Sequence, residues 1–463
     1  MTANSSWQVR TLGECATWFS GGTPSKSVSR YWSGNIPWIS AKSLIDFYVV
    51  DSVDKVTDEG ARNGTRLVPA NTILFVVRGM SLKSEFRLGI TTRPVTFNQD
   101  LKALVPNSDV DAVYLAYAIR AKTIEILQYV GEAGHGTGVL PTDRMQSLRI
   151  AIPPISEQKR IARVAQAIDY KIDLNRRINQ TLEAIAQAIF KSWFVDFDPV
   201  KAKIAAIEQG QDPLRAAMRA ISGKNDTELD QMPREHHDQL SATAALFPDE
   251  MEESELGEIP KGWAHGVLGD VCSFTAGSAF KPEHQGSTEG DYPFIKVSDM
   301  NLAGNEVFIQ SANNYVSKAQ QSEMKAKLHP LGATVFAKIG VALISNRRRL
   351  LTTPTIIDNN LMSASPAGGK SGTYFLYSML STIDFNTLVS GTALPYLNVS
   401  DLKKIPIVRP PHDVSSTFER KASSIFSMMQ ALAAQSVTLA DTRDNLLPKL
   451  LSGEIDFSEA LEG

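Results

Sequence analysis

The chain repeats itself at a spacing close to 256 residues, and nothing else in it constrains the fold as much. Trp7 matches Trp263, Leu12-Gly13 matches Leu268-Gly269, and Gly21 matches Gly277, each 256 positions apart. Ile36-Pro37-Trp38-Ile39 meets Tyr292-Pro293-Phe294-Ile295 at the same offset, and Asn98-Gln99-Asp100-Leu101 meets Asp358-Asn359-Asn360-Leu361 at 260. Tyr114 and Tyr117 face Tyr374 and Tyr377, and Gly136-Thr137 faces Gly391-Thr392. Leu148-Arg149-Ile150 with Pro153-Pro154 matches Ile405-Pro406-Ile407 with Pro410-Pro411 at 257. Small drifts in offset are what loop insertions of a few residues produce. Solenoid units run roughly 20–50 residues, so this period describes two copies of a whole domain.

A helical pattern follows each Pro-Pro. Ser156 and Asp413 are suitable N-caps, because their side-chain oxygens can accept an otherwise unpaired backbone N–H. The prolines just upstream block an earlier start. In the first helix a 3-4 spacing picks out Ile161, Val164, Ile168, Lys171, Asn175, Ile178, Leu182, Ile185 and Ile189. In the second it picks out Phe418, Ala422, Ile425, Met429, Leu432, Ser436, Leu439, Arg443, Leu446 and Leu450. This is coiled-coil periodicity. At about 38 residues each helix would be roughly 57 Å long. Two matched stripes in one chain have a natural partner in each other, and antiparallel packing would restore two-fold symmetry.

Composition excludes other classes. A 43% hydrophobic and 21% charged content is ordinary for a globular chain. No apolar run approaches the roughly 18 residues that would span a bilayer. The opening MTANSSWQVR shows no basic segment followed by an apolar one, so the chain reads as cytoplasmic, with no membrane partner. Cys15 and Cys272 cannot form a disulfide framework and read as small buried hydrophobes. The net charge of −3 hides a pattern: basic residues number 16 against 13 acidic over residues 1–154 and 14 against 10 over 261–411, but 6 against 13 over 199–260. No catalytic centre can be assembled. Gly368-Gly369-Lys370-Ser371 lacks the first glycine of a phosphate loop, since Ala364 stands there. His236-His237 has no ligand spacing for a metal.

Several motifs, taken in order, resemble a family. They are Gly21-Gly22-Thr23-Pro24, Ile36-Pro37-Trp38-Ile39-Ser40, Asn98-Gln99-Asp100, Ile152-Pro153-Pro154-Ile155-Ser156-Glu157-Gln158 running into a long helix, and Glu258-Ile259-Pro260-Lys261-Gly262-Trp263 opening the second copy. Over essentially its whole length the chain resembles the specificity subunits of type I restriction–modification systems. Two departures concern domain edges: the first copy lacks the full lead-in to Trp7, and Pro-His-Asp replaces Pro-x-x-Glu-Gln after the second Pro-Pro.

The resemblance implies an α+β architecture with pseudo-two-fold symmetry. Target recognition domains would occupy residues 1–154 and 259–411, with long spacer helices at 155–198 and 412–463 and an acidic tether at 199–258 carrying a helix near Val200–Glu208. Each domain would read one half of a bipartite double-stranded DNA site, and the antiparallel helices would set the spacing as a coiled coil. Two methyltransferase subunits acting on adenine N6, and restriction/translocase subunits, would assemble on the chain. S-adenosylmethionine and ATP with magnesium would bind those partners, leaving this chain non-catalytic and without cofactor or metal. Base edges are read by Arg, Lys, Asn, Gln, Ser and Thr, while phosphate contacts fix register. On that chemistry the candidates in the first copy are Thr23, Ser25, Lys26, Arg30, Arg78, Ser81, Lys83, Arg87, Gly136 and Thr137. In the second copy they are Lys281, Lys296, Ser298, Lys338, Asn346, Arg347, Arg348, Arg349, Gly391 and Thr392. Three adjacent guanidiniums at Arg347–Arg349 would repel one another unless an anion lay against them. Two other functions compete: a protein–protein scaffold with duplicated binding domains, for which DNA affinity would not fall with salt, and a self-contained methyltransferase, against which the missing cofactor loop argues.

Overall fold

A computed structural model describes residues 7–83, 85–133, 137–391 and 395–455. The chain forms two compact units, one of Met1–Ile172 with Thr438–Gly463 and the other of Asp173–Val437.

The first unit is built on a five-stranded sheet. Its strands run in the order Ala16–Ser20, Leu101–Pro106, Ile73–Val76, Leu88–Thr91, Tyr48–Val49, antiparallel except for the last pairing. The second unit repeats that order with Cys272–Ala276, Leu361–Pro366, Thr334–Ala337, Arg348–Leu351 and Phe308–Ile309, again with only the last pairing parallel. The drift in offset now has a location. Eight residues, 40–47, join Ile39 to Tyr48, whereas twelve, 296–307, join Ile295 to Phe308.

Sheet interiors alternate faces, and the central strands Ile73–Val76 and Thr334–Ala337 are buried on both. One face is covered by a helix, Ala112–Ala121 in the first unit and Thr373–Thr382 in the second. The helices start differently. The Asp111 side chain accepts the Tyr114 N–H at 2.9 Å, whereas the Glu419 carboxylate takes the N–H groups of Tyr374 and Phe375 at 3.1 and 2.8 Å. Both arrangements place an anion at a helix N-terminus, where the dipole favours it.

The long helices span Ile155–Phe194 and His412–Leu451, 40 residues each and so roughly 60 Å long. They begin at the residue after each Pro-Pro, so Ser156 and Asp413 lie inside the first turn and do not precede it. Within the first unit Ala165 clusters with Leu447 and Asp169 pairs with Arg443. Within the second, Asn175 meets Leu432 and Ser436, and Phe190 meets Phe418. Each set runs antiparallel.

The face these helices bury differs in phase from the heptad reading. Ile161 and Asn175 are buried and Ile168 and Leu182 half-buried, but Ile185 is 44% exposed while Ala186 is buried. Ile189 is half-buried beside fully buried Phe190. Val164 and Ile178 are likewise half-buried, with Ala165 and Ile172 taking the inner positions. In the second helix Phe418, Met429 and Leu450 are buried as expected, but Phe426, Ala433 and Leu447 replace Ile425, Leu432 and Leu446, and Leu439 is half-buried. Buried positions still recur at multiples of seven, at Ala165, Ile172, Ala186 and Trp193 in one helix and at Ala422, Met429, Ser436, Arg443 and Leu450 in the other, so the heptad period stands. The companion position of each pair lies one residue later than read, as at Ala165 and Ala186 and at Phe426, Ala433 and Leu447.

Residues 199–258 contain more than a connecting segment. Helices Asp198–Glu208, Pro213–Ser222, Asp226–Asp230 and Arg234–Ala245 are followed by a hairpin of Met251–Ser254 and Gly257–Pro260. Ala217, Met218, Leu229, Leu240 and Ala244 give this part a small core of its own. Its acidity is partly consumed locally, since Arg215 pairs with Asp226 and Asp230, and Arg219 with Asp226.

Candidate nucleic-acid interface

In the first unit a run of backbone hydrogen bonds gathers several of the candidate residues. Gly21 is required because a Cβ there would lie 2.3 Å from the Phe97 carbonyl and 2.5 Å from that of Asn98. Gly277 stands in the same relation to Asp358, at 1.9 Å. The close approach lets Thr23 Oγ1 donate to Gln99 Oε1 at 2.7 Å. Buried Asn98 folds its own turn, its Oδ1 accepting the Asp100 N–H at 3.2 Å. The Asp100 carbonyl then receives Val77 N–H at 2.8 Å and Arg78 N–H at 3.3 Å. Arg78–Gly79 pairs with Thr137–Val139, which pairs with Gly131–Ala133. Thr23, Arg78 and Thr137 are thereby linked, with Lys83 beside them through its 2.8 Å ion pair to Glu132.

The second unit is wired alike. Asp358 Oδ1 accepts the Asn360 N–H at 2.9 Å, and the Asn360 carbonyl accepts the Lys338 N–H at 2.9 Å. The Lys338 carbonyl takes Leu397 N–H at 2.9 Å, as Val77 takes Leu140. Ile339 bridges to Tyr396, which bridges to Ser390 beside Gly391. Gly391 has a φ of +86°, a conformation that suits glycine. Burial holds the Asp358 carboxyl above the ordinary range, against the Asn360 hydrogen bonds and nearby Lys296, which favour its ionised form.

The remaining candidates lie apart from these runs or are engaged by near neighbours. Ser25 shares a 2.8 Å hydrogen bond with Ser27, Lys26 is exposed, and Arg30 is paired with Glu59 at 2.8 Å. Ser81 is half-buried at the start of the 3-10 turn Met80–Lys83. Arg87 is held by Glu85 and by the Ala41 carbonyl. Lys281 lies 3.7 Å from Glu283, Lys296 donates to Gln285 and sits 5.1 Å over the Phe280 ring, and Ser298 is exposed. Gly136 and Thr392 fall outside the described residues.

The arginine run does not form a surface of three guanidiniums. Arg348 and Arg349 belong to strand Arg348–Leu351, whose two faces are both covered. Arg348 is 4% exposed, lies 3.9 Å over the Phe385 ring, and donates to the carbonyls of Asn346 and Ile383. Ile383 ends helix Thr373–Thr382, so this cation serves the negative end of a helix dipole. Burial pushes its guanidinium down to about 10. Arg349 is half-buried and donates to the Met300 carbonyl. Asn346, at φ +53°, accepts the Phe385 N–H, and Arg347 alone of the run is exposed.

Two polar residues here are not among the sequence candidates: Gln99, within Asn98-Gln99-Asp100, and Arg66, which covers Phe19 at 4.8 Å. Nor are Met80, Val341 and Tyr396, which are apolar or aromatic and stand exposed beside the basic residues. Both cysteine thiols are buried and burial raises them, to about 11 for Cys15 and about 12 for Cys272, which removes them as nucleophiles. Among the described residues no cluster of His, Cys, Asp and Glu is arranged to hold a metal ion, and no helix is long and apolar enough to cross a membrane.

One α/β domain built twice, with polar and basic side chains gathered along equivalent hydrogen-bonded runs, is the frame of a duplicated recognition protein. The family model described as the type I restriction modification DNA specificity domain matches residues 4–184 and again 260–441. The specificity subunit of the type I restriction enzyme HindI from Haemophilus influenzae is 35% identical over 355 residues, 73% of this chain and 76% of that one. The MjaIX specificity subunit of Methanocaldococcus jannaschii is 26% identical over 461 residues, 98% and 94% of the two chains. Among solved structures, a type I restriction–modification S subunit from M. genitalium aligns over 97% of this chain and 98% of its own, with 13% identity and a TM-score of 0.47. The chain belongs to the type I restriction–modification specificity family, as a non-catalytic, DNA-recognising specificity subunit.

Proposed function

We propose that each repeat reads one half of a bipartite double-stranded DNA site, and that the antiparallel long helices set the distance between the halves. The observation that carries this reading is the duplication itself. The same five-strand order, the same parallel edge and the same glycine-backed turn occur twice, within the two stretches that the family model matches. Half-site spacing mirrors protein geometry in paired readers. Joining two readers in one chain also raises affinity through effective concentration. Two methyltransferase subunits dock along the helices and methylate adenine N6, with restriction subunits completing the complex. S-adenosylmethionine and ATP with magnesium bind those partners. Thr23, Arg78, Lys83 and Thr137 in one repeat, and Lys296, Lys338, Arg347 and Gly391 in the other, face the DNA.

The test is co-expression with the cognate methyltransferase subunit, followed by genome-wide mapping of N6-methyladenine. The expected result is a two-part motif with an unspecified gap that appears only when this chain is present. A soluble complex that adds no methylation would refute the reading and favour a protein–protein scaffold.

A further inference from the structure

The two repeats share one feature that basic and polar readers do not explain. Gly79-Met80 and Gly340-Val341 occupy equivalent places. In each repeat the glycine comes two residues after the residue whose carbonyl accepts Leu140 or Leu397, and the apolar residue opens a four-residue helical turn, Met80–Lys83 or Val341–Ile344. Met80 is 71% exposed and Val341 81%. Isolated exposed apolar side chains are ordinary on protein surfaces. These two differ in being matched across the duplication and in standing next to charge. Arg78 precedes Met80 by two residues, and Lys338 precedes Val341 by three. Tyr396, bridged to Ile339, adds an exposed ring on the second repeat.

Duplex DNA presents one apolar group on its base edges, the 5-methyl of thymine in the major groove. A short apolar side chain held out among cations fits that group. The cations sit where phosphates would be, and the methyl replaces the water that Met80 or Val341 otherwise keeps. We infer that Met80 and Val341 each contact a thymine methyl, one in each half of the recognised site, and so help set its sequence. This rests on the reading of the repeats as half-site readers.

The experiment uses the complex of this chain with its methyltransferase subunits. Duplexes carry the mapped site with single thymines replaced in turn by deoxyuridine, which removes only the methyl. For the wild type, one replacement in each half weakens binding roughly three- to fivefold, the size expected for one buried methyl-sized group. Met80→Ser abolishes the sensitivity in one half and Val341→Ser in the other, while Met80→Leu keeps it. Both side chains are exposed, so the melting temperature of the variants stays at the wild-type value. The inference is overturned if no thymine replacement matters, or if both serine variants keep the wild-type sensitivities. A wild-type complex that fails to bind the mapped duplex overturns the half-site reading, and this inference falls with it.

Discussion

In the first repeat the Tyr117 hydroxyl donates to Asp169, which also holds Arg443 and Arg120. In the second, Tyr377, 260 residues on, donates to Glu183 at 2.5 Å, and the position matching Asp169 is Phe426, whose ring meets both Tyr374 and Tyr377. Arg443 has buried Ala186 as its counterpart. One backbone plan is thus filled twice with different chemistry. The first repeat ties its helices with a buried ionic cluster, the second with aromatic rings from Phe190, Trp193, Phe194, Phe375 and Phe418. A sheet order survives such replacement because it depends on backbone pairing and on which face is apolar. The side chains at the helix contacts are free to change as long as volume and hydrogen bonds are satisfied together.

The largest expected effect is in the aromatic half. Trp193→Ala removes a fully buried ring that packs on Phe247 and Phe418, and costs near the top of the roughly 3–5 kcal/mol range for such truncations. Its counterpart Leu450, also buried, should cost less on truncation, roughly 2–4 kcal/mol. Denaturant unfolding of the two variants measures both. Equal losses would mean that the aromatic cluster adds nothing beyond ordinary burial.

Next comes the ionic half. Arg443→Met leaves Asp169 buried with only Arg120 and Tyr117, a loss of roughly 3 kcal/mol, at the low end for breaking a buried pair because partners remain. The triple replacement Asp169→Phe, Arg443→Ala and Arg120→Leu carries the second repeat's solution into the first, where Phe426, Ala186 and Leu380 hold the matching places in the second. It should recover much of that loss, since an apolar filling of similar volume can match a buried ion pair. A triple variant no more stable than Arg443→Met would show that the two fillings are not interchangeable.

His329 gives the third contrast. It is 1% exposed, with Nδ1 2.7 Å from Ser363 Oγ, whereas the matching positions in the first repeat are Val68 and Ala103. Burial, with Lys327 adding to it, lowers the imidazole to about 4. A depressed folded value means that the neutral ring is favoured in the fold. Its contribution is therefore complete above the ordinary 6.5 and is lost as pH falls from there towards 4, on the order of 3 kcal/mol in all. His329→Val with Ser363→Ala should flatten the stability profile over that window. An unchanged slope between pH 6.5 and 4 would place the acid sensitivity elsewhere.

The sequence exposed the duplication because its matched residues do structural work that tolerates no substitute. Gly21 and Gly277 admit a carbonyl where a side chain would stand, and Asn98 and Asp358 close the turn behind them. The long helices were legible for the same reason, since apolar spacing and Pro-Pro punctuation are local signals. Their buried face was only partly legible, because apolar spacing gives the seven-residue period but not which of two adjacent residues turns inward, Ile185 or Ala186, Ile425 or Phe426. The small core of residues 199–258 was hidden by averaging, as five apolar side chains suffice for it within a stretch that is acidic overall. Site residues were the least legible. Whether an arginine faces solvent depends on strand faces and on what covers them, and the Arg347–Arg349 run carries no mark of either.

That run supplies the finest test of the comparison between surface and core in one repeat. Arg347 is exposed, so Arg347→Ala should weaken DNA binding a few-fold and reduce the slope of log affinity against log salt by about 0.9, the value for one lost phosphate contact. Arg348→Ala should leave that slope unchanged. It should lower stability instead, because the Ile383 and Asn346 carbonyls lose their donor and Phe385 loses the cation lying over its ring. Binding titrations of the complex across a salt series, paired with melting curves, separate the two. If Arg348→Ala changed the salt slope and Arg347→Ala did not, the strand would have to present its opposite face to DNA, and the assignment of this edge of the second repeat would be reversed.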